Sequence, residues 1–131
     1  MTQEEKQVLL KDLCARLPYG VKVQVYYEDI AGSGYFDETV WLIDNDEPFH
    51  VNDRWIENIK PYLRPMSSMT EEEATEYANC GNIIAISPQN DYLIPNPKSI
   101  NWLLENHFDF MGLIPKGLAI EVTNENNPYK E

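Results

Sequence analysis

The chain has 131 residues, of which 43% are hydrophobic, and its 22 acidic residues against 10 basic ones give a formal net charge of −12. Its eight Tyr, four Phe and three Trp are too many aromatic residues for a disordered acidic tail, so we expect one folded core. Acidity of this degree argues against direct contact with nucleic acid or anionic membranes, permits attraction to a basic partner, and names no reaction.

The first predicted element is a helix that begins after Thr2. Thr2 followed three residues later by Glu5 is a capping box, and residues 18–20, Pro-Tyr-Gly, end the helix. We expect Cys14 to be a small buried residue on its apolar stripe. The stripe consists of Val8, Leu9, Leu10, Leu13, Cys14 and Leu17.

The next residues predict two strands. Residues 21–27 alternate with period two, which places Val21, Val23, Val25 and Tyr27 on one face. Residues 31–34, Ala-Gly-Ser-Gly, predict a flexible turn, and residues 35–43 resume a strand-like composition.

Residues 44–48 predict a second turn, residues 49–51 a short strand, and residues 53–59 a helical or 3₁₀ turn. Pro61 and Pro65 predict an extended segment that lies outside any central strand position. A short second helix then follows and ends near residues 79–81. Ser68 or Thr70 can cap it, and Glu73 completes a capping box with Thr70.

In the last third, residues 83–86 predict a buried strand with residues 92–94 as its hairpin partner. Asn96 and Pro97 predict the start of a third helix, which we expect to end at Gly112. Residues 117–122 predict a last strand, and the polar residues 123–131 predict a frayed tail.

These elements predict a single α+β domain of residues 1–122. We expect an N-terminal helix, a small antiparallel bent sheet or SH3-like half-barrel in residues 21–66, and then two helices with short strands. Connections within residues 21–66 are too short for parallel crossovers. The predicted core includes Leu9, Leu13, Leu17, Val23, Val25, Trp41, Leu103 and Leu118.

The sequence favours a cytoplasmic protein that does not contact membranes. Its first residues lack the apolar segment of a secretory signal, and its longest aliphatic run, residues 83–86, is far shorter than the ~20 residues of a membrane span. The two cysteines, Cys14 and Cys80, form no CxxC pair, which favours reduced thiols.

No residue pattern predicts a catalytic, cofactor or metal site, so we expect neither an enzyme nor a cofactor. Residues 44–47, Asp-Asn-Asp-Glu, begin like a calcium loop, but Pro48 and Phe49 replace the next ligand and the required glycine. A Cys–His pair is arithmetically possible, yet Cys14 is expected on an apolar stripe and Cys80 at a helix C-terminus, where a thiolate is disfavoured.

Three blocks of the sequence are distinctive: residues 11–21 (KDLCARLPYGV), 60–70 (KPYLRPMSSMT) and 107–119 (HFDFMGLIPKGLA). Together they resemble a group of uncharacterised small acidic proteins of gut Bacteroides-type bacteria and their phages or mobile elements. The resemblance implies a link to phages or mobile elements, and it supplies no activity and no site residues.

The leading hypothesis is a non-catalytic accessory protein that binds another macromolecule, a protein rather than nucleic acid. One alternative is an acidic nucleic-acid mimic acting on a DNA-binding protein, and another is a small hydrolase with an undetected site. The acidic middle, residues 35–60, can be a binding patch or a solvated surface, and both interpretations stay open.

Two groups of side chains are candidates for recognition. Tyr26, Tyr27, Tyr35 and Trp41 could form an aromatic face, although we favour core packing for them. Tyr62, Arg64 and Met66 could form an exposed recognition strip, since these residue types favour interface cores. In the alternative, structural interpretation, Arg64 bridges backbone carbonyls or a carboxylate such as Glu73 or Asp53.

Overall fold

A computed structural model describes residues 1–80, 85–86, 93–94 and 97–129. The fold is α+β, as predicted, with an N-terminal helix, a mixed sheet and two later helices. The helices are α1 (Gln3–Arg16), α2 (Glu71–Asn79) and α3 (Pro97–Glu105). The strands are β1 (Lys22–Asp29), β2 (Gly32–Thr39), β3 (Ile43–Asp44), β4 (His50–Val51), β5 (Arg54–Trp55), β6 (Ile59–Pro65), β7 (Ala85–Ile86), β8 (Leu93–Ile94), β9 (Phe108–Asp109) and β10 (Ile120–Glu121).

Both predicted capping boxes are present. The Thr2 hydroxyl accepts from the Glu5 N–H and the Glu5 carboxylate accepts from the Thr2 N–H, and Thr70 with Glu73 does the same at the start of α2. Each box satisfies two backbone donors that the first turn of a helix would otherwise leave unpaired. The expected starts of both helices are therefore confirmed, with Thr70 rather than Ser68 as the second cap.

The buried side of α1 differs from the predicted stripe. Cys14 is exposed, whereas Asp12 and Arg16 are fully buried beside Leu9 and Leu13. At roughly 100° per residue, Asp12 and Arg16 share the side of Leu9 and Leu13, and Cys14 falls about 100° beyond Leu13. The prediction of a buried Cys14 is therefore wrong.

The main sheet has the strand order β10-β6-β1-β2, with β9 also paired to β6. β1 is antiparallel to β2 and β6, as expected within residues 21–66, whereas β9 and β10 run parallel to β6. β3, β4 and β5 form a separate antiparallel sheet, and β7 pairs with β8. The rest of the predicted hairpin at residues 83–94 lies outside the described residues.

Pro61 and Pro65 lie in β6, which is a central strand, so this prediction is wrong. The neighbours of β6 change along its length: β1 pairs with Ile59–Pro61, β10 with Tyr62 and Leu63, and β9 with Arg64 and Pro65. No neighbour follows the whole strand. The missing N–H of each proline therefore interrupts no long ladder.

One hydrophobic cluster joins α1, β1 and β6. The predicted core positions that are buried are Leu9, Leu13, Val23, Val25, Leu103 and Leu118, and Leu17 is partly buried against the cluster. Trp41 is 64% exposed, so its assignment to the core is wrong. The segment that continues β2 stays beside β1 as far as Val40, whose N–H donates to the Val21 carbonyl. The alternation of faces stops after this residue.

Two predicted boundaries shift. The tight turn lies at residues 30–31, because Asp29 pairs with Gly32, and residues 32–34 belong to β2. α3 ends at Glu105 rather than at Gly112. His107 then has a φ of 63°, in the left-handed region, and this conformation turns the chain so that β9 can pair with β6.

We expected a frayed tail from residue 123, but in the structure this segment packs against the sheet through Tyr129. The Tyr129 hydroxyl accepts from the Lys22 N–H at 2.9 Å and donates to the Tyr62 carbonyl at 2.8 Å. Its ring stacks on His107 with 3.8 Å between ring centroids. In the described part of the chain, no helix has the length and apolar character needed to cross a membrane.

Candidate functional site

The face of the main sheet that points away from the core carries polar and aromatic side chains. Alternation along β1 buries Val23 and Val25 on one face and directs the residues between them to the other. The strand pairing brings Tyr26 opposite Tyr35, and Gln24 opposite both Asp37 and Lys60. We call this surface the outer face; it consists of Gln24, Tyr26, Glu28, Tyr35, Asp37 and Lys60.

A tyrosine pair lies at the centre of the outer face. The ring centroids of Tyr26 and Tyr35 are 5.3 Å apart, and Tyr35 is 65% exposed. Beside the pair is an open hollow of about 470 Å³ that Glu57 and Asn58 border together with outer-face residues. Aromatic rings beside amide, carboxylate and ammonium groups can pack against a peptide and hydrogen-bond to its polar atoms.

Tyr62 lies on the same face of β6 as Lys60 and contacts two outer-face residues. Its hydroxyl donates to Asp37 Oδ1 at 2.7 Å and accepts from Gln24 Nε2 at 3.4 Å, and its side chain is buried. Desolvation, followed by the hydrogen bond to Asp37, raises the pKa of Tyr62 to about 12. Tyr62 therefore orients Asp37 and does not itself offer an exposed recognition surface.

Most of the exposed large apolar side chains come from residues 27–55 of the chain. In the parts of the chain that the structure describes, Tyr27, Ile30, Tyr35, Trp41, Leu42 and Trp55 are large, apolar and exposed, and Met1 and Met66 are the others. Core packing is the role expected from the sequence for Tyr26, Tyr27, Tyr35 and Trp41. That expectation is wrong for Tyr27, Tyr35 and Trp41, which are exposed.

Arg64 contacts Glu73, one of the carboxylates that the structural interpretation named. Its Nη1 and Nη2 donate to the two Glu73 carboxylate oxygens at 2.6 and 2.7 Å, and its guanidinium lies 4.2 Å from the Phe108 ring centroid. These hydrogen bonds are the main cause that lowers the pKa of Glu73 to about 2. Met66 is 38% exposed and Tyr62 is buried, so the three predicted residues form no continuous surface strip.

A second, polar hollow of about 620 Å³ lies between Arg64, His107 and the tail. Burial, followed by the charges of Arg16 and Arg64, lowers the pKa of His107 to about 4, so its imidazole is neutral at physiological pH. Its ring stacks on Tyr129, and its buried Nδ1 has no hydrogen-bond partner in the described part of the chain. No local sequence pattern points to Tyr129, because its partners Lys22 and Tyr62 are far away in the chain.

The possible Cys–His and metal chemistry finds no geometric support in the residues that the structure describes. Cys14 is exposed, and partial burial raises the pKa of its thiol, which disfavours a reactive thiolate. The His50 ring is tilted against the Trp55 ring, with 4.7 Å between the ring centroids. Within the described ranges, no group of three or more His, Cys, Asp or Glu side chains is arranged to hold a metal ion.

Comparisons with protein-family models, with curated proteins and with solved structures found no match for this chain. The function of the outer face therefore has to follow from the chemistry of its own side chains. Tyrosine offers a large, rigid contact area with a polar tip, and it is enriched among the residues that dominate binding energy in protein interfaces. The outer face combines such a pair with hydrogen-bonding groups that are already oriented by Tyr62.

Proposed function

We propose that the protein is a non-catalytic binding module that holds another protein on its outer face. The observation that carries this proposal is the Tyr26–Tyr35 pair, in which Tyr35 is exposed and Tyr26 partly buried, beside a hollow with polar borders. An aromatic pair of this kind costs solubility unless a partner covers it, and tyrosine beside polar groups is the usual centre of a protein interface.

Charge and compartment support the same proposal. The net charge of −12 favours a basic partner over nucleic acid. Both cysteines are free and Cys14 is exposed, which suits the reducing cytoplasm that the sequence favours. The resemblance to proteins of phages and mobile elements suggests that the partner belongs to the bacterial host or to the element itself.

The test is affinity capture from a bacterial lysate at low and moderate salt with three forms of the protein. We expect wild type to retain a specific partner and Tyr26→Ser/Tyr35→Ser to lose it. The matched control is Met66→Ala, which changes an exposed apolar residue away from the outer face. Failure to capture any specific partner, or equal capture by the double variant, would contradict the proposal.

The same capture experiment distinguishes the nucleic-acid mimic. A mimic occupies a DNA-binding surface, so duplex DNA added to the captured complex would compete with the protein for its partner. We expect the complex to survive this addition. Release by DNA, with no effect of the Tyr26→Ser/Tyr35→Ser variant, would favour the mimic over a binding module that uses the outer face.

A further inference from the structure

β2 is an edge strand of the main sheet, and its backbone geometry identifies the groups that face outward. Val40 N–H donates to the Val21 carbonyl, so this pair is hydrogen-bonded. Bonded and non-bonded pairs alternate in an antiparallel ladder, and therefore Tyr26 and Tyr35 form a non-bonded pair. The N–H and C=O groups of Ser33, Tyr35 and Asp37 point away from β1.

A side-chain contact agrees with this alternation of bonded and non-bonded pairs. Thr39 belongs to the same outward-facing set, and its carbonyl accepts from Asn52 Nδ2 at 2.9 Å, on the side away from β1. Within the described ranges, no strand pairs with the free side of β2, and Ser33, Tyr35 and Asp37 have no backbone partner there. The open edge is therefore three alternate residues long.

The charge around the edge selects the occupant. Residues 23–39 contain the acids Glu28, Asp29, Asp37 and Glu38 and no basic residue. Nearby cations contact the end of β2: Arg54 Nε lies 3.4 Å from Glu38 Oε1, and Lys22 Nζ donates to Thr39 Oγ1 at 3.3 Å. Two copies that paired through this edge would bring these acids together on chains that each carry −12, which is unfavourable. β2 also lacks the proline or lysine that usually blocks an edge strand. The charge therefore favours the addition of a basic strand to this edge and disfavours pairing with a second copy.

We propose that β2 binds an extended, lysine- or arginine-rich segment of a partner protein as an additional strand, hydrogen-bonded to the backbone of Ser33, Tyr35 and Asp37. The inference rests on the proposed function, because it names the kind of partner that the outer face receives. Strand addition supplies affinity through backbone hydrogen bonds, and the neighbouring side chains supply selectivity. Tyr35 and Asp37 contribute to both.

The first experiment uses a labelled nine-residue peptide with lysine at every second position and valine between, measured by fluorescence anisotropy at physiological salt. Two analogues of this parent peptide, called the twins, differ in where they are N-methylated: one on its valine residues and the other on its lysine residues. Both keep the charge of the parent. Only one set of N–H groups can face β2. We expect one twin to bind like the parent and the other at least tenfold more weakly. Equal affinities within about twofold would mean unspecific attraction and would overturn strand addition.

The second experiment compares Tyr35→Pro with Tyr35→Ala. Both lack the ring, but only proline lacks the outward N–H, and the ladder to β1 does not use that group. We expect the proline variant to bind the peptide at least tenfold more weakly than the alanine variant, with similar melting temperatures. Equal binding by the two variants would overturn strand addition. Ser33→Pro against Ser33→Ala repeats the comparison if Tyr35→Pro does not fold.

The outcomes separate this inference from the proposed function. A difference between the twins that Tyr26→Ser/Tyr35→Ser leaves unchanged would support strand addition and contradict the role of the outer face. A lysate partner that is lost by Tyr26→Ser/Tyr35→Ser, and that binds Ser33→Pro as strongly as Ser33→Ala, would support the outer face and overturn strand addition. If the chain alone forms dimers and Tyr35→Pro abolishes them, the edge binds a second copy, and this result would also overturn the proposal of a partner strand.

Discussion

Asn52 joins the small sheet to the end of β2 through a nearly buried side chain. Its Oδ1 accepts from the backbone N–H groups of Trp41 and Leu42 at 2.8 and 3.0 Å. Its Nδ2 donates to Glu38 Oε1 at 3.1 Å and to the Thr39 carbonyl at 2.9 Å. Both donors and both lone-pair sites of the amide are therefore used.

We predict that Asn52→Gly lowers the free energy of unfolding by about 2–4 kcal/mol, because it removes the amide and leaves three partly buried backbone groups without their partner. Glycine keeps the φ of 51° found at this position, so the loss reports the side chain. Asp53→Gly is the matched control: Asp53 is exposed at a φ of 63°, and its replacement should cost little or stabilise. Urea unfolding measures both, and similar losses in the two variants would contradict the role of Asn52.

His107 gives the fold a dependence on pH. Its pKa is about 4 in the folded protein and 6.5 in the reference state, so the unfolded chain binds more protons between these values. The contribution of the neutral ring is present above pH 6.5 and is lost as the pH falls towards 4. We predict that the melting temperature falls by several degrees across this window. His107→Asn, which tolerates the left-handed backbone, should show a shallower dependence. Equal slopes for both proteins would refute this prediction.

At the scale of the elements, Arg16 links α1 to β9 through the Phe108 carbonyl, and a buried ion pair with Asp12 inside α1 holds its guanidinium. Arg16 Nε donates to Asp12 Oδ2 at 2.8 Å, and Nη2 donates to the Phe108 carbonyl at 2.6 Å. Asp12 Oδ1 and Arg16 Nη1 have no partner in the described part of the chain. Desolvation raises the pKa of Asp12 despite the opposing charge of Arg16.

We predict that Arg16→Met destabilises the protein by about 3–5 kcal/mol, because it leaves the Asp12 carboxylate buried without its counter-charge. The double variant Asp12→Leu/Arg16→Met should recover most of this loss, since two apolar side chains carry no desolvation penalty. Thermal and urea unfolding of both variants form the test. A double variant as unstable as Arg16→Met would show that the Phe108 carbonyl, rather than the ion pair, sets the requirement for Arg16.

Arg64 connects β6 to the first turn of α2 through Glu73. We predict that Arg64→Ala lowers stability by about 1–3 kcal/mol, whereas Arg54→Ala, which removes a more exposed contact with Glu38, costs about 1 kcal/mol or less. The pKa of Glu73 is about 2, below its reference value of 4.5, so the contribution of the pair is present above pH 4.5 and is lost as the pH falls towards 2. Urea unfolding across that range should show this loss in wild type and a smaller loss in Arg64→Ala, where the capping-box hydrogen bonds with Thr70 still lower the pKa of Glu73. If Arg64→Ala is as stable as wild type, the structural role of Arg64 is contradicted.

The elements that sequence could predict are those governed by local rules. Capping boxes and apolar spacing predict α1 and α2, and period-two alternation predicts β1, because each depends on residues a few positions apart. The pairing of β9 and β10 with β6 joins residues more than forty positions apart, and no local pattern encodes it. Only one half of the tyrosine pair could be predicted from the sequence. Alternation places Tyr26 on the face opposite to the core valines, but its pairing with Tyr35 depends on where the hairpin turns.

At the scale of the whole molecule, the tail closes the main sheet. The pairing of Val23 with Pro61 implies that Lys22 lies opposite Tyr62, and at this position the Tyr129 hydroxyl stands between the two backbones. β1 and β6 therefore separate by the width of one hydroxyl group where the ladder would continue. The side chain that closes this gap belongs to a segment whose polar composition predicted no order.

We predict that Tyr129→Phe lowers the free energy of unfolding by about 1–3 kcal/mol, because the Lys22 N–H and the Tyr62 carbonyl lose their shared partner while the stacking on His107 remains. Burial raises the pKa of the Tyr129 phenol to about 12, so the hydroxyl keeps its proton and its donor role up to strongly alkaline pH. Tyr35→Phe is the matched control, since Tyr35 is largely exposed and should show no loss. Hydrogen exchange gives a local readout: the Lys22 amide should exchange faster in Tyr129→Phe than in wild type. If its protection is unchanged and both variants are equally stable, the tail does not hold β1 against β6.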